Sequence, residues 1–332
     1  MAQQAAVVMP TFHFGRTLTP PPPRYSTPMD WDDLRYFLAL ARTGSIRAAG
    51  AALGVSHSTV SRRVDGLEER LGTRLFDRHR DGYALTEAGR DMLPAAERVE
   101  DEVCALSRGL AGGDARVSGP VRVTCGDEYL AALLLDDLAP WCAANPGVDL
   151  SLTTGGRFFN LARGEADLAV RVLAPQTDPP PYLVGQRVAP LMIASYVARR
   201  HAQRLDPSGP EARWLGYADG RPLVELIRAG AYPDLPVWGA FSTLTQAVRA
   251  ATHGLGLALL PTYVGDPEPA LVRLPKADLR HVADLWLLYH PDLKANARLQ
   301  GARAALRAGF VRRQALHEGW CESAPRWSDL VP

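Results

Sequence analysis

Cysteine is scarce in this chain. Cys104, Cys125, Cys142 and Cys321 are the only four among 332 residues, and no two form a CxxC pair or stand at metal-ligand spacing. A disulfide scaffold and a thiolate metal centre are therefore excluded, and a reducing cytoplasm fits. Long apolar runs are missing too. The longest, Leu255 to Leu260, contains Gly256 and meets Pro261, so no membrane span is predicted. Charge of one sign is also lacking, with 37 basic residues against 36 acidic and a net charge of +1. Motifs that carry catalysis are absent: there is no GxSxG, Walker loop or HExxH, and no GxGxxG after a strand. GLGLA from Gly254 runs into an apolar strand and lacks the helix that cradles a pyrophosphate. The eight histidines are scattered, without a pair at metal spacing. No enzyme, metal or cofactor is expected.

What is present suits a soluble chain of two or three domains, with 47% hydrophobic and 22% charged residues. Residues 1–28 are rich in Pro, Gln and Thr, with Pro20 to Pro23 in a row; they read as a disordered extension without the apolar core of a signal peptide. An upstream start codon, with Met29 as the natural start, would explain the extension.

Residues 45–63, SIRAAGAALGVSHSTVSRR, read as two short helices joined at a glycine turn. Ser45 caps the first, which has Ala48, Ala49, Ala52 and Leu53 on its apolar face; Gly54 allows the turn and Val55 plugs the angle. Ser56 caps the second, whose first exposed residues are His57, Ser58, Thr59 and Ser61. Short hydrogen-bonding side chains followed by arginines suit a helix lying in a DNA major groove. An ordinary surface hairpin is the competing reading.

Upstream, Leu34, Phe37, Leu38 and Ala41 at helical spacing complete a three-helix core. Downstream, the second helix continues through Val64 and Leu67 to Gly72. Leu75-Phe76 and Tyr83-Ala84-Leu85 then read as a hairpin wing around Arg78 to Gly82. From Arg42 to Arg80 eight arginines face four acids, a local excess of four positive charges in a nearly neutral chain.

The pattern AAxxLGVSxSTVSRRVxxLExxLGTRLFDRxxxGYxLTEAG, from Ala48 through Gly89, resembles the N-terminal domain of the LysR-type transcriptional regulators. The resemblance implies base readout by His57, Ser58, Ser61 and Arg62, and phosphate contacts from Ser45, Arg63, Arg74 and Arg78. The family commonly has Gln-Pro where this chain has His57-Ser58. That pair is expected to change base preference rather than docking, since imidazole lacks the bidentate amide of glutamine. His57 either touches a base or is a bystander on the exposed face.

From Thr86 to about Leu110, Met92, Ala96, Val99, Val103, Leu106 and Leu110 form a narrow stripe at steps of three and four, which suits a helix–helix seam. Pro94 requires a position near the helix start or a kink. The resemblance implies that this helix pairs two subunits, giving a homodimer or homotetramer on a two-fold symmetric site in double-stranded DNA. Gly112-Gly113-Asp114 then begins a hinge.

Beyond Val121, strands and helices alternate. VRVTC is a strand, Glu128 to Asn145 a helix, and VDLSLTT the next strand. Asn160 to Gly164 reads as helix and Asp167 to Val172 as strand. Pro190 to Ser195 starts a second unit with Leu223 to Arg228, Phe241 to Thr252 and Leu257 to Leu260. Leu285 to His290 returns to a final helix from Lys294 to about Leu316. Such alternation predicts parallel sheets covered by helices, in two lobes joined by two crossovers around a cleft. Val148 to Arg171 and Gly254 to Pro261 resemble the family's effector domain, and the match weakens between Val197 and Trp238. The resemblance implies that Thr124 and Cys125 line the cleft opposite Ser242 and Thr243, with Arg171 supplying charge at its edge. A helix N-terminus there would favour an anion, often a carboxylate. Ser242 as a simple helix cap and Cys125 as a space-filling residue remain open, as does a redox role for Cys125.

The fold expected is an N-terminal, all-α-dominated winged helix-turn-helix followed by a C-terminal α/β effector domain of two lobes, periplasmic-binding-protein-like. The boundaries read as 29–86 for the DNA-binding domain, 87–112 for the linker helix and 113–120 for the hinge. The effector domain is 121–316, with lobe I at 121–189 and 291–316 and lobe II at 190–290, and the tail is 317–332. The function expected is sequence-specific regulation of transcription, controlled by a small effector that shifts the packing of the sensor halves and alters DNA bending or contact with RNA polymerase. A solute-binding protein and an effector-independent DNA-binding regulator are the alternatives.

Overall fold

The computed structural model describes residues 31–80, 82–112, 116–155, 161, 165–218, 221–274 and 279–320. The extension 1–28, Met29, the hinge residues Gly113-Asp114, all of the helix read at Asn160 to Gly164 except Leu161, and the tail from Cys321 on lie outside the described residues. The chain forms two compact units that meet between Glu100 and Asp101.

The first unit contains α1 (Trp31–Thr43), α2 (Ile46–Leu53), α3 (His57–Leu71), the hairpin β1 (Phe76–His79) and β2 (Gly82–Leu85), and the start of α4 (Glu87–Gly112). Its core is built on Phe37, Leu38, Leu40, Ala49, Val60, Leu67 and Phe76. Caps fix the helix boundaries. Ser45 accepts from the Ala48 N–H, Ser56 accepts from the Thr59 N–H, and Gly54 closes α2 at φ 68°, a conformation glycine adopts without steric cost. The wing is held against the body from both sides. The Glu68 carboxylate accepts from the N–H groups of Leu75 and Phe76 at 2.7 and 3.0 Å. At Gly89 a Cβ would stand 2.2 Å from the Leu75 carbonyl oxygen, so only glycine lets α4 pass this close. Helix α4 continues through Pro94.

The second unit is a mixed sheet with helices packed on it. Its elements are β3 (Gly119–Cys125), α5 (Glu128–Ala144), β4 (Val148–Thr154), β5 (Leu168–Leu173), β6 (Val184–Ala198), β7 (Trp214–Tyr217), α6 (Arg221–Arg228), β8 (Val237–Phe241), α7 (Leu244–Thr252), β9 (Ala258–Pro261), α8 (Thr262–Gly265), β10 (Leu271–Arg273), β11 (Arg280–Tyr289), α9 (Ala297–Arg312) and α10 (Gln314–Glu318). The main sheet runs β10-β6-β11-β5-β3-β4, with β9 also on β6, while β7 and β8 pair separately. Among the described residues the parallel strand pairs are β3–β4, β3–β5 and β7–β8, with one isolated parallel bridge between Trp214 and Leu257. The expectation of parallel sheets is corrected here, because the two crossing strands β6 and β11 run antiparallel to their neighbours.

Strand β6 begins at Val184, six residues before the expected start. Pro190 removes one ladder donor without ending the strand, and the pairing with β11 shifts register nearby, between His281 and Ala283. The early part of β6 pairs with β11 beside β5, and its last residues pair with β9 and β10, so one strand serves both lobes.

Helix α9 lies on α5. Its Leu299, Ala302, Leu306 and Phe310 are buried at steps of three and four. Gly309 sits over Asp137, whose buried carboxylate pairs with Arg312 at 2.8 Å and with Arg313. The segment read as a tail from residue 317 starts inside packed structure: His317 is 1% exposed between the rings of Tyr263 and Phe310.

Candidate nucleic-acid interface and ligand cleft

The first turn of α3 leaves His57 and Ser58 exposed, and Arg62 exposed one turn on. Together with Ile46, Ser61 and Glu69 they border one shallow depression between α2 and α3. Ser56 fixes this turn, bonding the hydroxyls of Ser58 and Thr59 at 2.8 and 2.9 Å. The helix N-terminus adds a partial positive charge where an anion such as a DNA phosphate would approach.

The arginines expected to touch DNA divide into two groups. Arg62 and Arg74 make no ion pair among the described residues and are exposed. Arg63 instead reaches back to α1, donating to Asp32 at 3.1 Å and lying 3.6 Å from Asp33, with its guanidinium over the Tyr36 ring. Arg78 pairs with Asp65 and lies over Tyr83. Ser61 donates to the same Asp65 at 3.2 Å. Ser45 is half-buried and caps α2.

In the second unit the N-termini of α5, after β3, and of α7, after β8, meet through Glu128 and Thr245. Thr124 and Cys125 are both fully buried at the end of β3, so they line no open cleft in this arrangement. Arg171 was expected at a cleft edge. It is 8% exposed and donates to the Thr124 hydroxyl at 3.1 Å, because its position on β5 turns it into the sheet beside β3. Burial first, and the nearby Asp127, push the Cys125 thiol up to about 11, away from the thiolate form. In lobe II, Thr243 caps α7 by accepting from the Gln246 N–H at 3.2 Å, while Ser242 donates its N–H to the Gln246 side chain. Ser242 is therefore not the cap. Both residues are exposed.

The groups that join the lobes are ones the sequence reading passed over. Asp127 caps α5 through Leu130 and accepts from the Tyr263 hydroxyl of lobe II at 2.8 Å. Burial raises its carboxyl above the usual range, in part offset by these hydrogen bonds. Glu128 accepts from the N–H and the hydroxyl of Thr245 in the first turn of α7, at 3.0 and 2.5 Å. The chain thus seats its own carboxylate on the helix N-terminus predicted to receive an anion. Beside it, the Tyr217 hydroxyl is buried without a hydrogen-bond partner among the described residues. The sequence signal for this junction was the pair Asp127-Glu128 directly after a strand, which reads equally well as an ordinary helix start.

Two family patterns cover most of the chain. Residues 31–90 match "Bacterial regulatory helix-turn-helix protein, lysR family", and residues 114–311 match "LysR substrate binding domain". The chain belongs to the LysR family. This LysR-family chain is 31% identical over 263 residues to the HTH-type transcriptional regulator YusT of Bacillus subtilis, covering 75% of the chain and 86% of the relative. Its fold is shared by the Vibrio cholerae virulence activator AphB, with a TM-score of 0.54 at 17% identity, covering 84% of this chain and 99% of that one. It is shared also by CbnR, solved in complex with its target DNA, with a TM-score of 0.51 at 19% identity over 85% of this chain and 100% of that one. The chain is thus a DNA-binding transcriptional regulator with an effector-binding domain, and its family is not one of enzymes. No helix among the described residues is long and apolar enough to cross a membrane.

Proposed function

We propose that this LysR-family regulator reads its operator with His57, Ser58, Ser61 and Arg62, and grips the flanking phosphates with Arg62 and Arg74 in first place. The exposure of Arg62 and Arg74 without any carboxylate partner carries this reading, since an arginine already paired must give up its partner before it meets a phosphate. Arg63 and Arg78 contribute less in this reading, held as they are by Asp32, Asp33 and Asp65. Ser45 serves the DNA chiefly by fixing the start of α2. CbnR, whose fold this chain shares, has been solved with its target DNA. That likeness supports DNA as the partner.

The effector acts at the junction of Asp127, Glu128, Thr245 and Tyr217. A small molecule bound there exchanges the Glu128–Thr245 bond for its own contacts and supplies the partner that the Tyr217 hydroxyl lacks, an unmet group that costs about 1–3 kcal/mol. A carboxylate effector competes directly with Glu128 for the first turn of α7. Thr124, Cys125 and Arg171 form the wall behind the junction, and Ser242 and Thr243 its exposed rim. The change in lobe packing passes to a homodimer or homotetramer on DNA in the cytoplasm, and from there to RNA polymerase.

The deciding experiment titrates the full-length protein on DNA from upstream of its own gene across a range of salt. A specific complex is expected, with affinity falling linearly in log salt. Arg62→Ala should lower the salt slope by about one unit and Arg63→Ala by less. Equal losses in the two variants would overturn the division between free and paired arginines.

A further inference from the structure

Away from both sites, α9 and the neighbouring ends of β6 and β11 enclose a depression that holds positive charge without a counter-charge. Arg303 forms its floor. This side chain is 8% exposed, and its guanidinium carbon lies 4.0 Å from the centre of the Tyr289 ring. Nη2 donates to the Lys294 carbonyl at 2.8 Å, whereas Nη1 is buried with no acceptor among the described residues. Lys294, Gln300, Arg307 and Gln186 stand around it. The Arg307 guanidinium donates to the Gln186 amide oxygen at 3.3 Å, and Gln300 donates to the Lys294 carbonyl at 3.1 Å. Among the described residues none of Arg303, Arg307 and Lys294 has a carboxylate partner.

This arrangement is costly as it stands. An aromatic face compensates a guanidinium only in part. A buried N–H without an acceptor loses its solvation and gains nothing in return, and buried charge normally comes paired. Burial lowers the Arg303 pKa, with Tyr289 opposing it and the nearby Arg307 adding a smaller repulsion. One ligand chemistry answers all of these features. An oxyanion accepts from Nη1, neutralises the three cations, and leaves the Gln186 and Gln300 amides to orient it.

We propose that the Arg303 depression is a binding site for a small oxyanion, a carboxylate or a phosphate group, separate from the lobe junction. Its walls belong to α9 and to the two strands that cross between the lobes. A bound anion therefore ties the crossing strands to the helix that packs on α5, and bears on lobe packing without entering the junction.

The test titrates the full-length protein with inorganic phosphate and, separately, with acetate, at ionic strength held constant with chloride. Binding is read from 31P or 13C line broadening, and the arm that saturates identifies the chemistry. Saturable binding is expected to weaken about tenfold in Arg307→Gln and in Lys294→Gln, both exposed positions outside the core, and to vanish in Arg303→Met. Glu128→Gln, at the lobe junction, should bind as the wild type does. No saturable binding of either anion overturns the site. So does undiminished binding in both Arg307→Gln and Lys294→Gln, or clearly stronger binding in Glu128→Gln, which would move the anion to the α7 N-terminus that Glu128 otherwise occupies.

Discussion

Glu128 accepts two hydrogen bonds from Thr245, a residue 117 positions later in the chain, and so ties the N-terminus of α5 in one lobe to that of α7 in the other. Burial alone would raise the Glu128 carboxyl, but the Thr245 hydroxyl and N–H outweigh it and hold the group below its ordinary value of 4.5. A carboxylate with a depressed pKa contributes stability above its unfolded value, and that contribution is lost as pH falls through the folded value. Wild type should therefore be more stable than Glu128→Gln by a constant margin at neutral pH. The margin should shrink below pH 4.5. Thermal melts of both proteins across that range check this, and a margin independent of pH would sink it.

His317 titrates with the opposite charge but gives a loss in the same direction. Its two ring nitrogens are buried without partners among the described residues, and burial first, then Arg313, lowers its pKa from 6.5 to about 4. Between those values the unfolded chain binds a proton that the folded chain refuses, so stability falls as pH drops from 6.5 to about 4 and then levels off. The shift corresponds to a loss on the order of 3 kcal/mol. His317→Phe, which keeps a ring between Tyr263 and Phe310, should remove this dependence and raise stability at pH 5 relative to wild type. Denaturant melts at pH 7 and pH 5 measure both terms.

The winged helix-turn-helix was legible because its signals are local. Ser45, Gly54, Ser56 and Gly72 each mark a helix end within a few residues of the chain, and the structure uses all four as caps. The lobes were legible as alternation, but not their sheet: Pro190 looks like a strand start until the partner strand β11 is present to carry pairing across it. The junction was the least legible part. Whether Asp127 and Glu128 only start a helix or bridge two lobes depends on Thr245 and Tyr263, more than a hundred residues away, and no short-range pattern records that distance. The ion pairs of Arg63 were illegible for the same reason: its acidic partners lie on α1, a full helix-turn-helix upstream.

Glu68 belongs to the sequence pattern that suggested DNA binding, yet it points at the wing rather than at DNA. Its carboxylate accepts from the backbone N–H groups of Leu75 and Phe76, both buried residues. Glu68→Ala leaves two donors unmet and should cost about 2 kcal/mol. Because the same contacts aim β1, operator affinity should fall together with the melting temperature. Glu69→Ala, on the exposed neighbour, should change stability by no more than a few tenths of a kcal/mol. Equal stability of the Glu68→Ala and Glu69→Ala variants would remove Glu68 from this role.

The stripe on α4 splits between two tasks. Met92 and Ala96 pack into the winged-helix core, whereas Val99 is 41% and Leu106 69% exposed. Two apolar side chains spaced one heptad apart on the open face of a long helix suit a seam with a second copy. Burying one such leucine is worth roughly 1.5–3 kcal/mol, and a two-fold seam buries it twice. Leu106→Glu should therefore weaken self-association at least tenfold by sedimentation equilibrium while the thermal midpoint of the winged-helix unit stays unchanged. Operator affinity should fall with it, since one recognition helix alone addresses half of a symmetric site. A wild-type chain that sediments as a monomer, or a Leu106→Glu variant that associates like wild type, would show that α4 does not form the seam.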